Sequence, residues 1–390
     1  MRSCRDSAKV DREKLRADVR ALCERLGGAA YWRALDPKRA YPDAFARAFT
    51  EARYLAALIP AEYGGLGLSL GDTCVIVEEI NHAGGNAGTA HAQLYTMGTI
   101  LRWGSEEQKR TWLPRIASGE VRLQAFGVTE PAAGVDTTRI ETVAERRGDV
   151  YVVNGRKRWT SRFQHSDAML LLARTGPATA ADRGAGLSVF LVDLRAVPAD
   201  RIEVTPIPVW MNNETNEIAL RDLEVPAENL IGEEGRGFRS IIDGWNAERI
   251  LIAAECVGHG RFLVERAAEY VTTREIFGKP LGANQSIQFP IARAHAALEA
   301  ADLMRRDAAE RFERGEPCGP QANTAKLLAS EASWQAANAA IDALGGNGFA
   351  VDYDVERIAR ETRLYSVAPI SNNLVLAYLG HKVLGMPRST

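Results

Sequence analysis

The pattern of apolar and polar positions divides the chain into three stretches. Up to about residue 121 it predicts helices. "GDTCVIVEEINHAGG" (71–85) and "NAGTAHAQLYTMGTILRWG" (86–104) are apolar-rich, of helix length and bounded by glycine. Ser105-Glu106-Glu107-Gln108 has the form of a capping box and opens a helix running towards Ser118. Near residue 122 the pattern changes to short runs rich in Val, Ile, Leu, Tyr and Trp: "GDVYVVNGRKRW", "AMLLLART", "LSVFLVDL" and "IEVTPIPVW". Arg147-Gly148-Asp149 and Asn154-Gly155 read as turns between runs, which predicts an antiparallel sheet. Past Gly232 helical spacing returns. "SIQFPIARAHAALEAADLMRRDAAERFERG" and "NTAKLLASEASWQAANAAIDALGG" are each long enough for bundle helices.

One stretch of this last part raises a question. In "GWNAERILIAAECVG" (244–258), Leu251, Ile252 and Glu255 share a face with Glu248, and Ile250, Ala253, Ala254 and Val257 fill most of the rest. A helix apolar nearly all round is buried, and a buried Glu is either paired or working.

Composition narrows the setting. At 390 residues the chain exceeds what one core usually serves, so two or three domains are expected. Apolar and charged fractions of 46% and 25% are those of a soluble globular protein. A net charge of −2 gives no electrostatic case for nucleic acid or anionic membrane. No apolar run reaches the length of a membrane span, and "MRSCRDSAKVDREKLRADVR" lacks the apolar core of a signal peptide. The five cysteines (Cys4, Cys23, Cys74, Cys256, Cys318) are scattered, without a CxxC or a Cys/His cluster, so neither a disulfide framework nor a metal site is indicated and a cytoplasmic setting is expected.

Four stretches carry candidate chemistry. In "LQAFGVTEPAAGVD" (123–136), Thr-Glu-Pro followed by small residues lets backbone approach a ligand, or is an ordinary turn. In "NGRKRWTSRFQHSD" (154–167), Trp159 beside Thr160 and Ser161 offers a ring and a hydroxyl to a planar ligand, or is a sheet Trp with solvated neighbours. In "TTREIFGKPLGANQSIQF" (272–289), Arg274 suits a phosphate and Phe277 a ring, or Gly278 closes a helix C-terminus. In "ALGGNGFAVDYDVERIARETRLYSVAPISNNL" (343–374), Gly345, Gly346 and Gly348 admit a dinucleotide or form a flexible turn.

Taken together and in this order, "FGVTEPAAGVD", "VNGRKRWTS", "RGFRSIIDGWNAERILIAAE", "REIFGKPLGANQ" and "LGGNGFAVDYDVERIARETRLY" resemble the acyl-CoA dehydrogenase family of flavoproteins, from about residue 12 to 387. The resemblance implies an α+β chain with an N-terminal helical domain (1–121), a middle antiparallel β-domain (122–231) and a C-terminal four-helix bundle (232–390), assembled as a homotetramer. It implies one non-covalent FAD per subunit, an acyl-CoA or other acyl-thioester substrate, and an electron-transfer flavoprotein as acceptor. No GxGxxG follows a strand, so a nicotinamide site is not expected.

Carried over by position, the flavin edge falls to Phe126, Val128 and Thr129, and its flanking ring and hydroxyl to Trp159 and Ser161. Arg274, Phe277 and Gln285 match residues that hold FAD from the adjacent subunit. Gly345 and Gly346 match the adenosine-lining turn, and Ser371 and Asn373 its polar neighbours. For substrate the matches are Gly88, His91 and Tyr95 on the acyl-tunnel helix, with Asn246 and Arg249 flanking Glu248. Val135 stands where many relatives have a serine touching the thioester's pantetheine or nucleotide arm.

The largest departure is at "YSVAPISNN". Many members carry the catalytic Glu here, and this chain has Pro369, with neither a carboxylate nor an N–H. In branched- and long-chain members the base lies on the bundle helix, immediately before an Arg, which is the place of Glu248. The resemblance thus implies α-proton abstraction by Glu248 and β-hydride transfer to flavin N5, giving a trans-2-enoyl thioester. A flavin oxidase or monooxygenase on the same fold, and a non-catalytic flavin or acyl-thioester binding protein, are the competing readings.

Overall fold

A computed structural model describes residues 10–388, apart from the side chain of Asp243. Cys4 and the charged start of the chain lie outside the described residues. The helices are α1 (Arg12–Arg25), α2 (Gly28–Leu35), α3 (Asp43–Glu51), α4 (Leu70–His82), α5 (Gly88–Trp103), α6 (Glu106–Ser118), α7 (Gly237–Thr273), α8 (Gln285–Glu313), α9 (Gly319–Leu344), α10 (Val355–Leu364) and α11 (Asn372–Tyr378). The strands are β1 (Leu123–Gly127), β2 (Val143–Arg147), β3 (Val150–Ser161), β4 (Ala168–Arg174), β5 (Leu187–Asp193), β6 (Ile202–Pro206), β7 (Thr215–Pro226), β8 (Leu230–Ile231), β9 (Glu275–Ile276) and β10 (Lys279–Pro280). The chain divides into two compact units that interleave in sequence. One takes the described parts of Met1–Lys38, Leu68–Ala87 and Asn246–Thr390; the other takes Arg39–Gly67 and Gly88–Trp245. No helix among the described residues is long and apolar enough to cross a membrane.

In the helical unit, Leu263 and Ala267 of α7, Ala294 and Leu298 of α8, Ala336 and Ala340 of α9, and Ile358 of α10 share one apolar core. The alanines of α9 let its neighbours approach closely. From Ala247 to Gly260 every residue of α7 is buried, as its nearly uniform apolar pattern predicts.

Charge is buried here too. Glu78 and Glu79 of α4 have side chains wholly out of solvent. Three helices bring arginines to Glu78: Arg16 of α1 at 3.0 Å, Arg261 of α7 at 2.5 Å and Arg305 of α8 at 3.2 Å. Glu79 meets Arg16 at 2.9 Å and Arg20 at 2.5 Å. Asp302 of α8 in turn holds Arg261, Arg305 and Arg306.

In the mixed unit the sheet order is β6-β7-β3-β2-β4-β5-β8, with β1 beside β4. The sheet is antiparallel as expected at β2–β3, β3–β7, β4–β5, β5–β8 and β6–β7, but β1 runs parallel to β4, as does the single pairing of β2 with β4 at Val143 and Arg174. β4, "AMLLLAR", is buried at all but its last residue, which requires both faces of the sheet to be covered there. Asn154-Gly155 is not a turn but lies inside the twelve-residue β3. Gly155 has φ +156° at a bulge opposite β7, and a Cβ there would sit 2.4 Å from Thr142 Oγ1, so only glycine fits. Gly148 makes the β2–β3 turn as predicted, with φ +63°. The capping box forms, with Ser105 and Gln108 bonding reciprocally at 2.9 and 3.1 Å at the head of α6.

The charge cage carries a pH signature. Burial pushes Glu79 upward, but hydrogen bonds from His82, Arg20 and Arg16 prevail and leave it at about 2, below the usual 4.5. A depressed carboxylate stabilises the fold fully above its unfolded value, and that stability is lost as pH falls from 4.5 towards 2. Glu79→Gln is therefore expected to be less stable than the parent by about 2–3 kcal/mol at pH 7. The gap should narrow steadily below pH 4.5 in urea denaturation; a gap constant with pH would refute the assignment.

Candidate active site

The mixed unit builds one set of expected site residues around β1 and the loop after it. Along 123–130, Leu123, Gln124, Ala125, Gly127 and Glu130 are buried, whereas Phe126, Val128 and Thr129 are partly open. The three residues matched to the flavin edge are thus the accessible ones of this segment. The loop is held from beneath. Lys157 of β3 is wholly buried, and its Nζ donates to Glu130 Oε1 at 2.7 Å and to the Val128 carbonyl at 3.2 Å. Glu130 also accepts from the backbone N–H groups of Glu141 at 2.6 Å and Thr142 at 3.0 Å. The N–H of Arg158 donates to the Thr129 carbonyl at 2.8 Å. Burial pushes Lys157 down to about 8 against the pull of Glu130. Burial also opposes the Glu130 charge, but Lys157 and the Glu141 N–H hold that carboxyl below its usual range.

β3 shifts register against β7 between Lys157 and Thr160. Trp159 at this irregularity has φ +65° and is half exposed. The shift turns its ring outward while Thr160 stays buried. The Arg158 guanidinium lies 5.0 Å from the Trp159 ring centroid and is itself paired with Glu217 at 2.7 Å. Ser161 is partly open, and its Oγ accepts from Asn213 Nδ2 at 3.5 Å.

α5 supplies the expected acyl-tunnel residues. Between Thr89 and Ile100 every residue is buried except His91 and Tyr95, and Gly88 just before them is also partly open. Spacings of three and four place the three on one face. Thr96 Oγ1 donates to the Leu123 carbonyl at 2.6 Å and fixes α5 against β1. In this position Tyr95 packs on Phe126, centroids 5.5 Å apart, and on His91 at 6.2 Å. The structure therefore brings a residue expected at the acyl tunnel against Phe126, the residue matched to the flavin edge. Val135 is 71% exposed on the loop beyond and belongs to neither group.

The helical unit carries the rest. Glu248 and Arg249 are 8% exposed at the head of the buried stretch of α7, and Arg249 Nη1 donates to Asn246 Oδ1 at 3.2 Å. The second carboxylate of this face, Glu255, accepts from the Tyr365 hydroxyl at 3.4 Å. Arg274, Phe277 and Gln285 are exposed at the far end of α7 and the start of α8. Gly278 does not close a helix there. α7 ends at Thr273, and Phe277-Gly278, with φ +50° and +75°, form the two-residue turn joining β9 to β10. Phe277 at its tip is fully exposed. Gly345 and Gly346 are exposed with nothing near their absent Cβ atoms, whereas a Cβ on Gly348 would press on Ile341 at 2.9 Å. Only the first two therefore offer open backbone. Ser371 N-caps α11 by accepting from the Leu374 N–H at 3.3 Å, and Asn373 is exposed. Pro369 is exposed on the preceding loop.

In the mixed unit, open backbone at Phe126, Val128 and Thr129 accompanies an outward ring and a hydroxyl, groups of the kind that hold a planar ligand; in the helical unit, Gly345 and Gly346 leave their backbone uncovered. The family models agree with this order of parts. "Acyl-CoA dehydrogenase, N-terminal domain" matches residues 9–120, the middle domain 125–222 and the C-terminal domain 235–369. The chain is 35% identical over 341 residues to an acyl-CoA dehydrogenase of Mycobacterium tuberculosis, covering 86% of each chain. It is 32% identical over 361 residues to the cyclohex-1-ene-1-carbonyl-CoA dehydrogenase of Syntrophus aciditrophicus, covering 90% of this chain and 84% of that one. The structure of a glutaryl-coenzyme A dehydrogenase in complex with glutaryl-CoA matches with a TM-score of 0.90 at 29% identity, over 100% of this chain and 98% of that one. The chain belongs to the acyl-CoA dehydrogenase family, whose members are FAD-containing oxidoreductases.

The Lys157–Glu130 pair went unnoticed in the sequence. Its only signal there is an inward-facing lysine in a strand, since its partner lies 27 positions away. Lys157→Met should cost about 3–5 kcal/mol, because it strands a buried carboxylate. Adding Glu130→Gln should recover a large part of that loss in chemical denaturation. Additive losses from the two changes would show that the pair does not act as a unit.

Proposed function

We propose that this protein oxidises an acyl thioester to its trans-2-enoyl product, with Glu248 as the base that takes the α-proton. When bound, FAD accepts the β-hydride. The proton and hydride together account for the two hydrogens lost, and the base keeps the proton on its carboxylate until product leaves. One observation carries this reading: Glu248 stands at the head of the buried stretch of α7, while the alternative base position is filled by Pro369.

In this reading Phe126, Val128, Thr129, Trp159 and Ser161 hold the ring system of FAD. Gly345, Gly346, Ser371 and Asn373 hold its adenosine and pyrophosphate side, with Arg274, Phe277 and Gln285 offered to a neighbouring subunit of a homotetramer. Phe277 at a rigid two-residue turn, fully exposed, suits such a role. Asn246 and Arg249 orient the thioester beside Glu248, and Val135 lies along its carrier arm. Gly88, His91 and Tyr95 bound the acyl group. Acyl-CoA is the substrate class, an electron-transfer flavoprotein the acceptor, and the cytoplasm the place of action.

Glu248→Gln keeps size and hydrogen bonding but cannot take the proton. It should retain FAD and slow anaerobic flavin bleaching by substrate about 10²–10⁴-fold. Bleaching at the parent rate with full FAD content would remove Glu248 from the role.

Tyr95 reaches Phe126 across the acyl stripe and so limits its depth. Tyr95→Ala should move the preference in kcat/KM towards longer acyl groups, by about 1–2 kcal/mol for each added pair of methylenes accommodated. An unchanged profile across a panel of acyl thioesters would place the pocket floor elsewhere.

A further inference from the structure

The segment between α10 and α11 is where many relatives keep their base, and here it has none. It is nonetheless tied at both ends by buried polar groups of the helical unit. At its start the Tyr365 hydroxyl accepts from Asn81 Nδ2 at 3.1 Å, donates to Glu255 at 3.4 Å and lies 3.1 Å from His259 Nδ1. At its end stands Lys326 of α9, wholly buried. Its Nζ donates to the Ile370 carbonyl and to Asn372 Oδ1, both at 2.7 Å. Ser330, one turn further along α9, donates to the same Asn372 oxygen at 3.1 Å. Between these anchors Val367 and Pro369 are exposed.

A buried ammonium is held here by a carbonyl and an amide rather than by a carboxylate, an arrangement with a high desolvation cost. Burial pushes Lys326 down to about 8, and Arg249 on α7 opposes its charge as well. The cost of burying it is offset only by what its two bonds hold in place, and that geometry points to a use. Ile370 and Asn372 bracket Ser371, and Asn373 follows directly. Two bonds from one rigid helix therefore fix the backbone that presents both residues.

We propose that Lys326 is a positioning residue for the cofactor: it clamps residues 370–372 so that Ser371 and Asn373 present a fixed polar edge to FAD. The proposal rests on the reading of Ser371 and Asn373 given under the proposed function.

The test uses three variants of the full-length protein, stripped of flavin and titrated with FAD by fluorescence quenching, with melting of the apoprotein as the control for folding. Lys326→Met keeps the stem and removes the donors, and should weaken FAD binding about tenfold, the loss of one or two hydrogen bonds' worth of positioning. Lys326→Gln keeps a donating amide and should recover most of that affinity; a lysine that only filled space would be replaced better by Met than by Gln. Asn373→Ala should weaken FAD binding whatever Lys326 does. If Asn373→Ala binds FAD like the parent, the flavin reading of this loop fails. If Asn373→Ala is weakened while a folded Lys326→Met binds normally, the clamp alone is overturned. Should Lys326→Met not fold, Asn372→Ala, which removes one of the lysine's two acceptors in the loop and leaves the lysine, decides in its place: weaker binding upholds the clamp and parental binding overturns it.

Discussion

Two adjacent carboxylates that do not meet water, Glu78 and Glu79, set the terms for the helical unit. Each needs several donors, and α4 supplies only His82, which serves Glu79. Arginines from α1, α7 and α8 converge on Glu78, so the rotation and register of those helices about α4 are tied to a few ångströms of charge geometry. The apolar contacts alone would not do this. Alanine-rich faces such as that of α9 present little relief, and sliding them changes buried area only slightly. A misplaced arginine, by contrast, leaves a charge stranded. The placement of α7, and with it Glu248 and Arg249, follows from this constraint.

The same physics recurs at smaller scale with the signs exchanged. Lys157 reaches under the Thr-Glu-Pro loop and Lys326 under residues 370–372, and each takes a main-chain carbonyl from the loop it supports. A loop needs open backbone to meet a ligand, yet open backbone is free to wander. A lysine buried behind it restrains the chain while leaving its outer edge uncovered.

Much of this was legible in the sequence where the signal is local. The capping box at Ser105, the all-round burial of α7 and the uninterrupted apolar run of β4 depend on neighbours in the chain. So does the shared face of Gly88, His91 and Tyr95, which follows from helical spacing. What was missed depends on partners distant in sequence. β7, "TNEIALRDLEVP", alternates buried and polar residues over only part of its length, and its identity as a strand comes from β3 and β6 on either side. Asn154-Gly155 has the composition of a turn but serves as a bulge because Thr142 packs against it. The hairpin at Phe277 was hidden because its strands are two residues each. Among the candidate residues, positions followed from motif spacing, whereas the supports beneath them, Lys157 and Lys326, look like ordinary charges until the fold brings in their acceptors.

The interleaving of the two units has a consequence for how the molecule comes into being. α1, α2 and α4 belong with α8 to α10, yet they emerge from the ribosome long before them, whereas the residues of the mixed unit are complete by Trp245. Arg16, Arg20 and His82 can meet Glu79 early, but Glu78 lacks Arg261 and Arg305 until α7 and α8 are made. The set of charges that fixes the finished unit is thus complete only once the last of its helices has been made.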